Sequence, residues 1–319
     1  MTPAHSRALG LAAGFLADRL LGDPRRGHPV AGFGRAATGL EGLLYADRQR
    51  EGVVFTTFLV GSAAAVGVIA DRLTRDHPLA HALTVAATTW TVLGGRSLGR
   101  EALAVSRLLE EGDIVRARLQ VTHLVGRDPS GLGPDEIARA TVESVAENTS
   151  DAVVGPLVAG ALLGVPGLLA YRAANTLDAM VGHHSSRYER FGWASARLDD
   201  LLNVAPARLS GAFATSLAPL VGGRPVEAIT TWRRDAAGHP SPNAGVVEAA
   251  FAGALGVTLG GRNVYGDQVE HRGVLGSGPP PGVPDVARAV SLADAVGWMA
   301  LAVAVSAALA PRPRRRPDR

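Results

Sequence analysis

Long apolar runs separated by charged blocks dominate the pattern of the chain. Five runs contain few or no charged side chains: 53–73, 79–95, 152–170, 201–223 and 292–311. Each is close in length to the roughly 20 residues that a helix needs to cross the hydrocarbon core of a bilayer. One such run is common in a soluble core, whereas five in one chain favour several membrane spans. The pattern therefore predicts an all-α, multi-pass integral membrane protein, with one domain over 1–319.

The third run raises a question of topology, because Gly164-Val165-Pro166-Gly167 interrupts it. The arm over 152–163 would be only about 18 Å long as a helix, against about 30 Å of hydrocarbon. We favour a helical hairpin that dips in and returns, which would bring the polar residues on both sides of the run to one membrane face. One kinked span is the alternative. A basic tail, 312–319, follows the last run, as expected of a cytoplasmic end.

The composition excludes several classes of site. The chain has no cysteine, which excludes disulfides, thiolate zinc sites, iron–sulfur clusters and a cysteine nucleophile. All 32 basic residues are arginine, so a Walker A lysine and Schiff-base chemistry are also excluded. The net charge is only +3 and 5% of the residues are aromatic. Without a basic stripe interleaved with aromatic residues, nucleic-acid binding is not expected.

The strongest candidate chemistry is an acidic stripe at the end of a polar block. Glu143, Glu147 and Asp151 are spaced i, i+4 and i+8, which places them on one face of a helix. Like charges at this spacing repel each other. A divalent cation such as Mg²⁺, which prefers carboxylate and amide oxygens, would remove the repulsion. The alternative is a solvated helix face beside Arg139.

Other polar clusters lie at the ends of the apolar runs. Asn175 and Asp178 are one helical turn apart, where an interfacial cap is the alternative interpretation. Arg197 precedes two adjacent aspartates. Two prolines stiffen the segment 233–245, whose arginines could clamp a phosphate. Together the clusters predict a shared site at a membrane surface, where carboxylates hold Mg²⁺ and arginines hold phosphate.

Six stretches, in order and over nearly the whole chain, resemble the cobalamin-biosynthesis CobD/CbiB family, the adenosylcobinamide-phosphate synthases. They are LLGDPRRGHPV (20–30), ESVAENTSDAVVGPL (143–157), AYRAANTLDAMVGH (170–183), RYERFGWASARLDDLLN (187–203), RRDAAGHPSPNAG (233–245) and GALGVTLGGRNVYGD (253–267). Two positions depart from the family pattern: Ala152, where glycine is expected, and Gly238, where a basic residue is expected. Neither is a proposed ligand.

The resemblance implies a multi-pass enzyme of the cell membrane, a carbon–nitrogen ligase of cobalamin biosynthesis. The family joins the free propionate carboxylate of adenosylcobyric acid to aminopropanol, as its O-phosphate. The implied ligands are this corrinoid, aminopropanol phosphate, ATP and Mg²⁺, with membrane lipid around the protein. Other membrane enzymes of the late pathway are further candidate partners. No local motif places the ATP site.

The resemblance and the clusters together assign candidate roles to individual residues. The candidate catalytic residues are Glu143, Glu147, Asp178 and His239. The candidate substrate- and phosphate-binding residues are Asn148, Asn175, Arg187, Arg197, Arg234 and Asn243. The candidate metal ligands are Glu147, Asp151, Asp199 and Asp200.

Other classes of protein fit the sequence less well. The AmpE-like membrane proteins, associated with signalling, are similar in outline but would lack the acidic and amide clusters. A Mg²⁺-dependent intramembrane transferase acting on a prenyl diphosphate would need two aspartate-rich motifs on facing helices, and the spacing here fits this less well. A transporter would carry polar residues in mid-span, whereas the clusters here lie more at span ends.

Overall fold

Helices form most of the computed structural model, which describes residues 1–24, 27–126, 128–183, 185–265 and 268–310. Most of the described residues are helical, so the predicted all-α class is confirmed apart from one β-hairpin. The α-helices of the described residues are α1 (Pro3–Leu21), α2 (Pro29–Leu44), α3 (Gln49–Thr74), α4 (Pro78–Val92), α5 (Gly95–Glu110), α6 (Ile114–Val121), α7 (Pro134–Thr149), α8 (Gly155–Leu163), α9 (Val165–Leu177), α10 (Trp193–Leu217), α11 (Pro225–Asp235), α12 (Ala244–Leu255) and α13 (Val283–Leu309).

Local sequence signals define the start of several helices. α7 begins at Pro134, and the Gly133 N–H donates to the Glu136 carboxylate at 2.8 Å. α13 begins in the same way, with the Gly282 N–H donating to Asp285 at 2.9 Å. Proline tolerates a first-turn position because that N–H has no partner within the helix, and an acidic side chain there favours the helix dipole.

Small residues allow the helices of the core to approach closely. All 12 residues of α12 are buried, and α12 packs against α10 and α11. α1 packs against α4 through Gly10 and Gly14, and a Cβ on Gly14 would lie 2.5 Å from the carbonyl oxygen of Ala86. Glycine within a helix costs up to about 1 kcal/mol relative to alanine. At these positions it is required by the distance between the two backbones.

α8 and α9 form a helical hairpin. They meet at Gly164, whose φ of +70° favours glycine, and they pack against each other. A Cβ on Gly167 would lie 2.4 Å from the carbonyl oxygen of Ala159. Asp151, just before the hairpin, and Asp178, just after it, line the same cleft. The run 152–170 therefore returns toward its starting side in this structure.

The one β-hairpin of the described residues was not predicted from the sequence. β1 (Leu259–Tyr265) and β2 (Gln268–Leu275) pair antiparallel, with Leu259 opposite Leu275, and both of these leucines are buried. The Gly260 N–H at the start of the hairpin donates to the Glu143 carboxylate at 2.9 Å. The hairpin thus contacts the middle of α7.

Within the described residues, two helices are long and apolar enough to cross a membrane, namely α3 and α13. They overlap the first and last of the five predicted runs. The helix in 79–95 is α4, which has 15 residues, and the run 152–170 is divided at Gly164. The run 201–223 is shared between α10 and a short 3₁₀ turn, Ala218–Val221. The predicted tail 312–319 lies outside the described residues.

Candidate functional site

A cleft of about 1110 Å³ contains most of the predicted acidic residues. One side of it, which we call the acidic side, carries the carboxylates of Glu147, Asp151, Asp178, Asp199 and Asp200. The other side, which we call the polar side, carries His239, Ser241, Asn243 and Arg272. The two sides meet where the Asn243 side-chain amide donates to the backbone carbonyl of Asp200 at 2.7 Å. The acidic side comes from α7, α9 and α10, and the polar side comes from the loop before α12 and from β2.

Two π-helical turns carry aspartates of the acidic side. Ser150–Val154 continues α7, and Asp178–Gly182 continues α9. A π turn has i→i+5 hydrogen bonds, and such turns occur frequently at functional sites. Gly182 lies so close to Asp178 that a Cβ there would be 1.9 Å from the Asp178 carboxylate oxygen. Glycine at this position therefore keeps space for the carboxylate beside the cleft.

A hydrogen-bonded network fixes Asp199. The Asn203 side chain donates to Asp199 Oδ2 at 2.9 Å, and the Asn175 side chain donates to Asp199 Oδ1 at 3.4 Å. The Tyr171 hydroxyl donates to Asn203 Oδ1 at 2.6 Å. Since Asn203 is 1% exposed, both of its polar atoms depend on these partners. The network orients a carboxylate without neutralising it.

The carboxylates of the acidic side raise one another's pKa values. Burial raises the pKa of Asp178 to about 7, and the neighbouring carboxylates add to this effect. Burial raises the pKa of Asp199 to about 6, although its two asparagine donors act in the opposite direction. Burial and the nearby carboxylates also raise the pKa of Asp151 well above its usual range. The acidic side is therefore a place where positive charge would be stabilised.

The donor chemistry of the acidic side suits Mg²⁺, which prefers oxygen ligands and commonly binds through one or two carboxylates together with substrate phosphates. Elsewhere in the described chain, carboxylates are commonly paired with arginine, whereas no such ion pair joins Asp151, Asp178 or Asp199. The described side chains nevertheless contain no group of three or more His, Asp or Glu arranged to hold a metal ion by themselves. Water or substrate oxygens would complete the ligand set.

His239 lies on the polar side, and both of its ring nitrogens are engaged within the protein. Nδ1 accepts a hydrogen bond from the Ser241 backbone N–H at 3.1 Å, and Nε2 lies 3.5 Å from the carboxylate of Glu248. Nδ1 also lies 3.2 Å from the Ser241 carbonyl oxygen. The Ser241 hydroxyl accepts from the Ala244 N–H at 3.1 Å. His239 thus holds the loop that starts α12.

A model of the CobD/CbiB protein family matches residues 11–293. The chain belongs to the CobD/CbiB family. The stretches that carry the sequence resemblance to the CobD/CbiB family also build the cleft. The segments 143–157 and 170–183 contain the two π turns, 187–203 contains Asp199, and 233–245 contains the loop of the polar side.

CobD/CbiB relatives are similar to the chain over nearly their full length. "Cobalamin biosynthesis protein CobD" of Mycobacterium tuberculosis is 50% identical over 314 residues, which cover 98% of each chain. The protein of the same name from Chromobacterium violaceum is 43% identical over 308 residues, 95% of this chain and 97% of the relative. That from Geobacter metallireducens is 43% identical over 291 residues, 89% of this chain and 87% of the relative. No solved structure matches the chain.

Three predicted site residues of the CobD/CbiB motifs do not line the cleft. The Glu143 carboxylate accepts from the Gly260 N–H and lies 3.8 Å from Arg139, so it connects α7 to the β-hairpin. The Asn148 amide donates to the Ser144 carbonyl at 2.9 Å, within its own helix. Asn175 does not line the cleft, but its side-chain amide donates a hydrogen bond to Asp199, which does. The i, i+4, i+8 stripe therefore divides, since only its last two carboxylates reach the cleft.

The three predicted phosphate-binding arginines also lie outside the cleft lining. Arg187 donates to Glu41 at 3.0 Å and lies over the ring of Tyr45 at 4.2 Å. Arg234 makes two hydrogen bonds to Asp235, at 2.6 and 2.7 Å. Arg197 is largely exposed and lies 3.8 Å from Asp200, at the rim of the cleft. Spacing alone could not show that Arg187 and Arg234 are paired with carboxylates outside the cleft.

Sequence reasoning missed Glu248 and Arg272. Glu248 is completely buried in the otherwise apolar α12. A lone acid in an apolar helix is rare without a partner or a function, so this signal was available. Arg272 reaches the cleft only because β2 exists, and the sequence pattern predicted no strand there.

Proposed function

We propose that the chain takes part in cobalamin biosynthesis as an adenosylcobinamide-phosphate synthase. In this reaction an amide forms between the free propionate carboxylate of adenosylcobyric acid and the amine of aminopropanol or its O-phosphate, at the expense of ATP. Family membership supports the role in the pathway. The observation that carries the specific reaction is the concentration of five carboxylates on one side of a single large cleft.

Amide formation requires an activated carboxylate and a neutral amine. ATP would supply the phosphoryl group that activates the propionate as an acyl phosphate. One or two of the carboxylates Glu147, Asp151, Asp199 and Asp200, together with phosphate oxygens, would hold Mg²⁺ and so neutralise phosphate charge. Attack by the amine forms the C–N bond, breaks the C–O bond to phosphate and releases one proton from nitrogen. A general base is most effective when its pKa lies near the working pH. Asp178, whose pKa burial raises to about 7, fits this role.

The polar side supplies positioning rather than acid or base chemistry. His239 and Glu248 hold the loop, and Asn243 connects that loop to α10 through the Asp200 carbonyl. Substrate bound between the two sides would be held by groups on rigid helix ends. Such positioning contributes to catalysis by keeping the reacting atoms in place.

We further propose that the protein is embedded in the cell membrane by several helices. Within the most apolar 18-residue stretch of each helix, only 22% is buried in α3 and only 39% in α13. Exposed Phe58 and Ile69 on α3, and Trp298 on α13, contribute to these apolar surfaces. Exposed apolar areas of this extent are typical of surfaces that contact lipid or another protein. Retention in the membrane pellet through high salt, with release by detergent, is the expected behaviour, and recovery without detergent would contradict it.

The function is tested by turnover. Membranes containing the chain are supplied with adenosylcobyric acid, aminopropanol phosphate and MgATP, and the corrinoid product is identified by mass spectrometry. We expect an ATP-dependent product whose mass corresponds to the amide. Membranes from the same host without the chain provide the control. Absence of product from active, folded protein would reject the proposed reaction.

A further inference from the structure

The polar side of the cleft contains an arginine that the sequence analysis did not identify. Arg272 lies on β2, opposite Gly261 of β1, and is one of the residues that line the cleft. Of the arginines that the structure describes, it alone is part of the cleft lining. The cleft therefore combines five carboxylates with one guanidinium group.

A close backbone approach places Arg272 beside the loop of the polar side. The next residue, Gly273, packs against Gly238, and a Cβ on Gly273 would lie 2.4 Å from the Gly238 carbonyl oxygen. Gly238 directly precedes His239. Because glycine permits this contact, β2 runs along the loop, and Arg272 lies on the same side of the cleft as Ser241 and Asn243.

Arg187 and Arg234, first considered for phosphate binding, do not line the cleft. Arg187 is bound to Glu41, and Arg234 makes a two-point contact with Asp235 that also involves the Gly276 N–H. A guanidinium group is planar, always charged and matched to phosphate oxygens, so its position determines where a phosphate is recognised. Among the described residues that line the cleft, Arg272 is the one that carries a guanidinium group.

We propose that Arg272 binds a substrate phosphate and so makes the cleft specific for a ligand with separated charges. The acidic side would face the ammonium or Mg²⁺-bearing end of the ligand, and Arg272 would face its phosphate. This inference rests on the proposed function, because that function supplies two phosphate-bearing substrates, ATP and the phosphorylated amine. The charge separation across one cleft favours the phosphorylated amine, which carries both charges in a small molecule.

Steady-state kinetics of Arg272→Gln and Arg272→Lys test the assignment. For Arg272→Gln we expect the KM for aminopropanol phosphate to rise by about 10- to 100-fold, as for loss of a charged hydrogen bond. The kcat and the KM for unphosphorylated aminopropanol should change little. Arg272→Lys should restore part of the affinity, since it keeps the charge but not the fork geometry. Arg224→Ala, which removes an exposed arginine paired with Glu227, is the matched control.

The kinetic outcomes separate the two phosphate sources. A rise in the KM for ATP alone would still support Arg272 as the phosphate ligand and would assign it to the nucleotide. An equal loss with both amines, or no change in any KM, would overturn the assignment.

A binding measurement distinguishes this inference from the reaction itself. Aminopropanol phosphate should raise the Tm of the detergent-solubilised wild-type protein more than that of Arg272→Gln, and inorganic phosphate should do so more weakly. If the wild-type chain forms no amide but this difference is present, the proposed reaction fails and Arg272 remains a phosphate ligand. If turnover is normal and both proteins respond equally to the amine phosphate and to ATP, only the Arg272 assignment fails.

Discussion

Glu101 and the carboxylates of the acidic side of the cleft have opposite surroundings. Glu101 accepts hydrogen bonds from Gln120 at 2.5 Å and Arg100 at 3.3 Å and is paired with His123 at 3.0 Å. The hydrogen bond with His123, with further help from its other partners, lowers the pKa of Glu101. Asp178 and Asp199 lie instead among other acids, where burial raises their pKa values to about 7 and about 6.

The difference indicates that Glu101 serves the stability of the fold, whereas the carboxylates of the acidic side serve function. Glu101 is placed where its charge is compensated, as expected of a residue that supports the fold. The acidic side of the cleft is an arrangement that the fold alone would not favour, because each buried carboxylate opposes the ionisation of the next. Perturbed groups concentrated in a cleft are characteristic of functional sites. The comparison indicates that these carboxylates are retained for a positively charged ligand.

The largest predicted effect is on turnover. Asp178→Asn should reduce kcat by about 100-fold or more, since general-base catalysis contributes about 10²–10⁴-fold. Glu101→Gln should leave kcat within a few-fold and should lower stability by no more than about 1 kcal/mol, as for a partly exposed pair. Steady-state assays and thermal denaturation of both variants measure this. Equal turnover in the two variants would remove Asp178 from the reaction.

A second prediction compares two substitutions, one that adds a carboxylate beside Asp199 and one that adds a carboxylate beside Glu101. Asn203→Asp removes the N–H donor to Asp199 and places a further carboxylate in a buried position. We expect a loss of about 1–3 kcal/mol of stability, the usual cost of a broken buried hydrogen bond. Gln120→Glu is the matched change beside Glu101, where solvent screens the charge, and it should cost clearly less. A larger loss for Gln120→Glu in denaturant titrations would contradict the comparison.

A third change concerns the buried His239–Glu248 pair of the polar side. Glu248→Ala should destabilise the protein by about 1–3 kcal/mol, because the buried His239 ring loses its polar neighbour at 3.5 Å. Glu248→Gln keeps an acceptor and should cost less, with KM affected more than kcat. If either variant abolished kcat while the Tm stayed unchanged, a direct catalytic role for the pair would replace the positioning role proposed above.

A further predicted effect is a pH dependence of stability. Since the pKa of Asp178 is raised in the folded protein, its ionisation costs stability as the pH rises from about 4, its ordinary value, toward 7. In EDTA, Asp178→Asn should therefore be more stable than wild type at pH 8, by about 2 °C in Tm for each kcal/mol. The difference should shrink at pH 5. A constant difference across this range would show that Asp178 is not the group responsible.

The sequence was most informative where local chemistry decides the structure. Pro134 and Glu136 mark the start of α7 by local chemistry alone, and the break at Gly164 indicated a turn within the third apolar run. Carboxylates at the ends of the apolar runs also pointed to the acidic side of the cleft. These signals depend on neighbours within a few residues, so no tertiary information was required.

The sequence could not show what depends on distant contacts. The π turn at Ser150–Val154 re-aims Asp151, and no local pattern distinguishes it from a continuing α-helix. The occupation of Arg187 by Glu41, 146 residues away, was equally invisible. The β-hairpin has glycines where alternating side chains would mark strands, so the position of Arg272 could not be predicted.

The most direct test of the central claim is the stabilisation of the protein by Mg²⁺ in the absence of substrates. A ligand at about 100 times its Kd stabilises the folded state by about 2.7 kcal/mol. Titration of Mg²⁺ should raise the Tm of wild type and of Glu101→Gln to the same extent, and it should raise the Tm of Asp151→Asn much less. An equal rise in all three proteins, or none in wild type, would contradict the account of the acidic side as a site for positive charge.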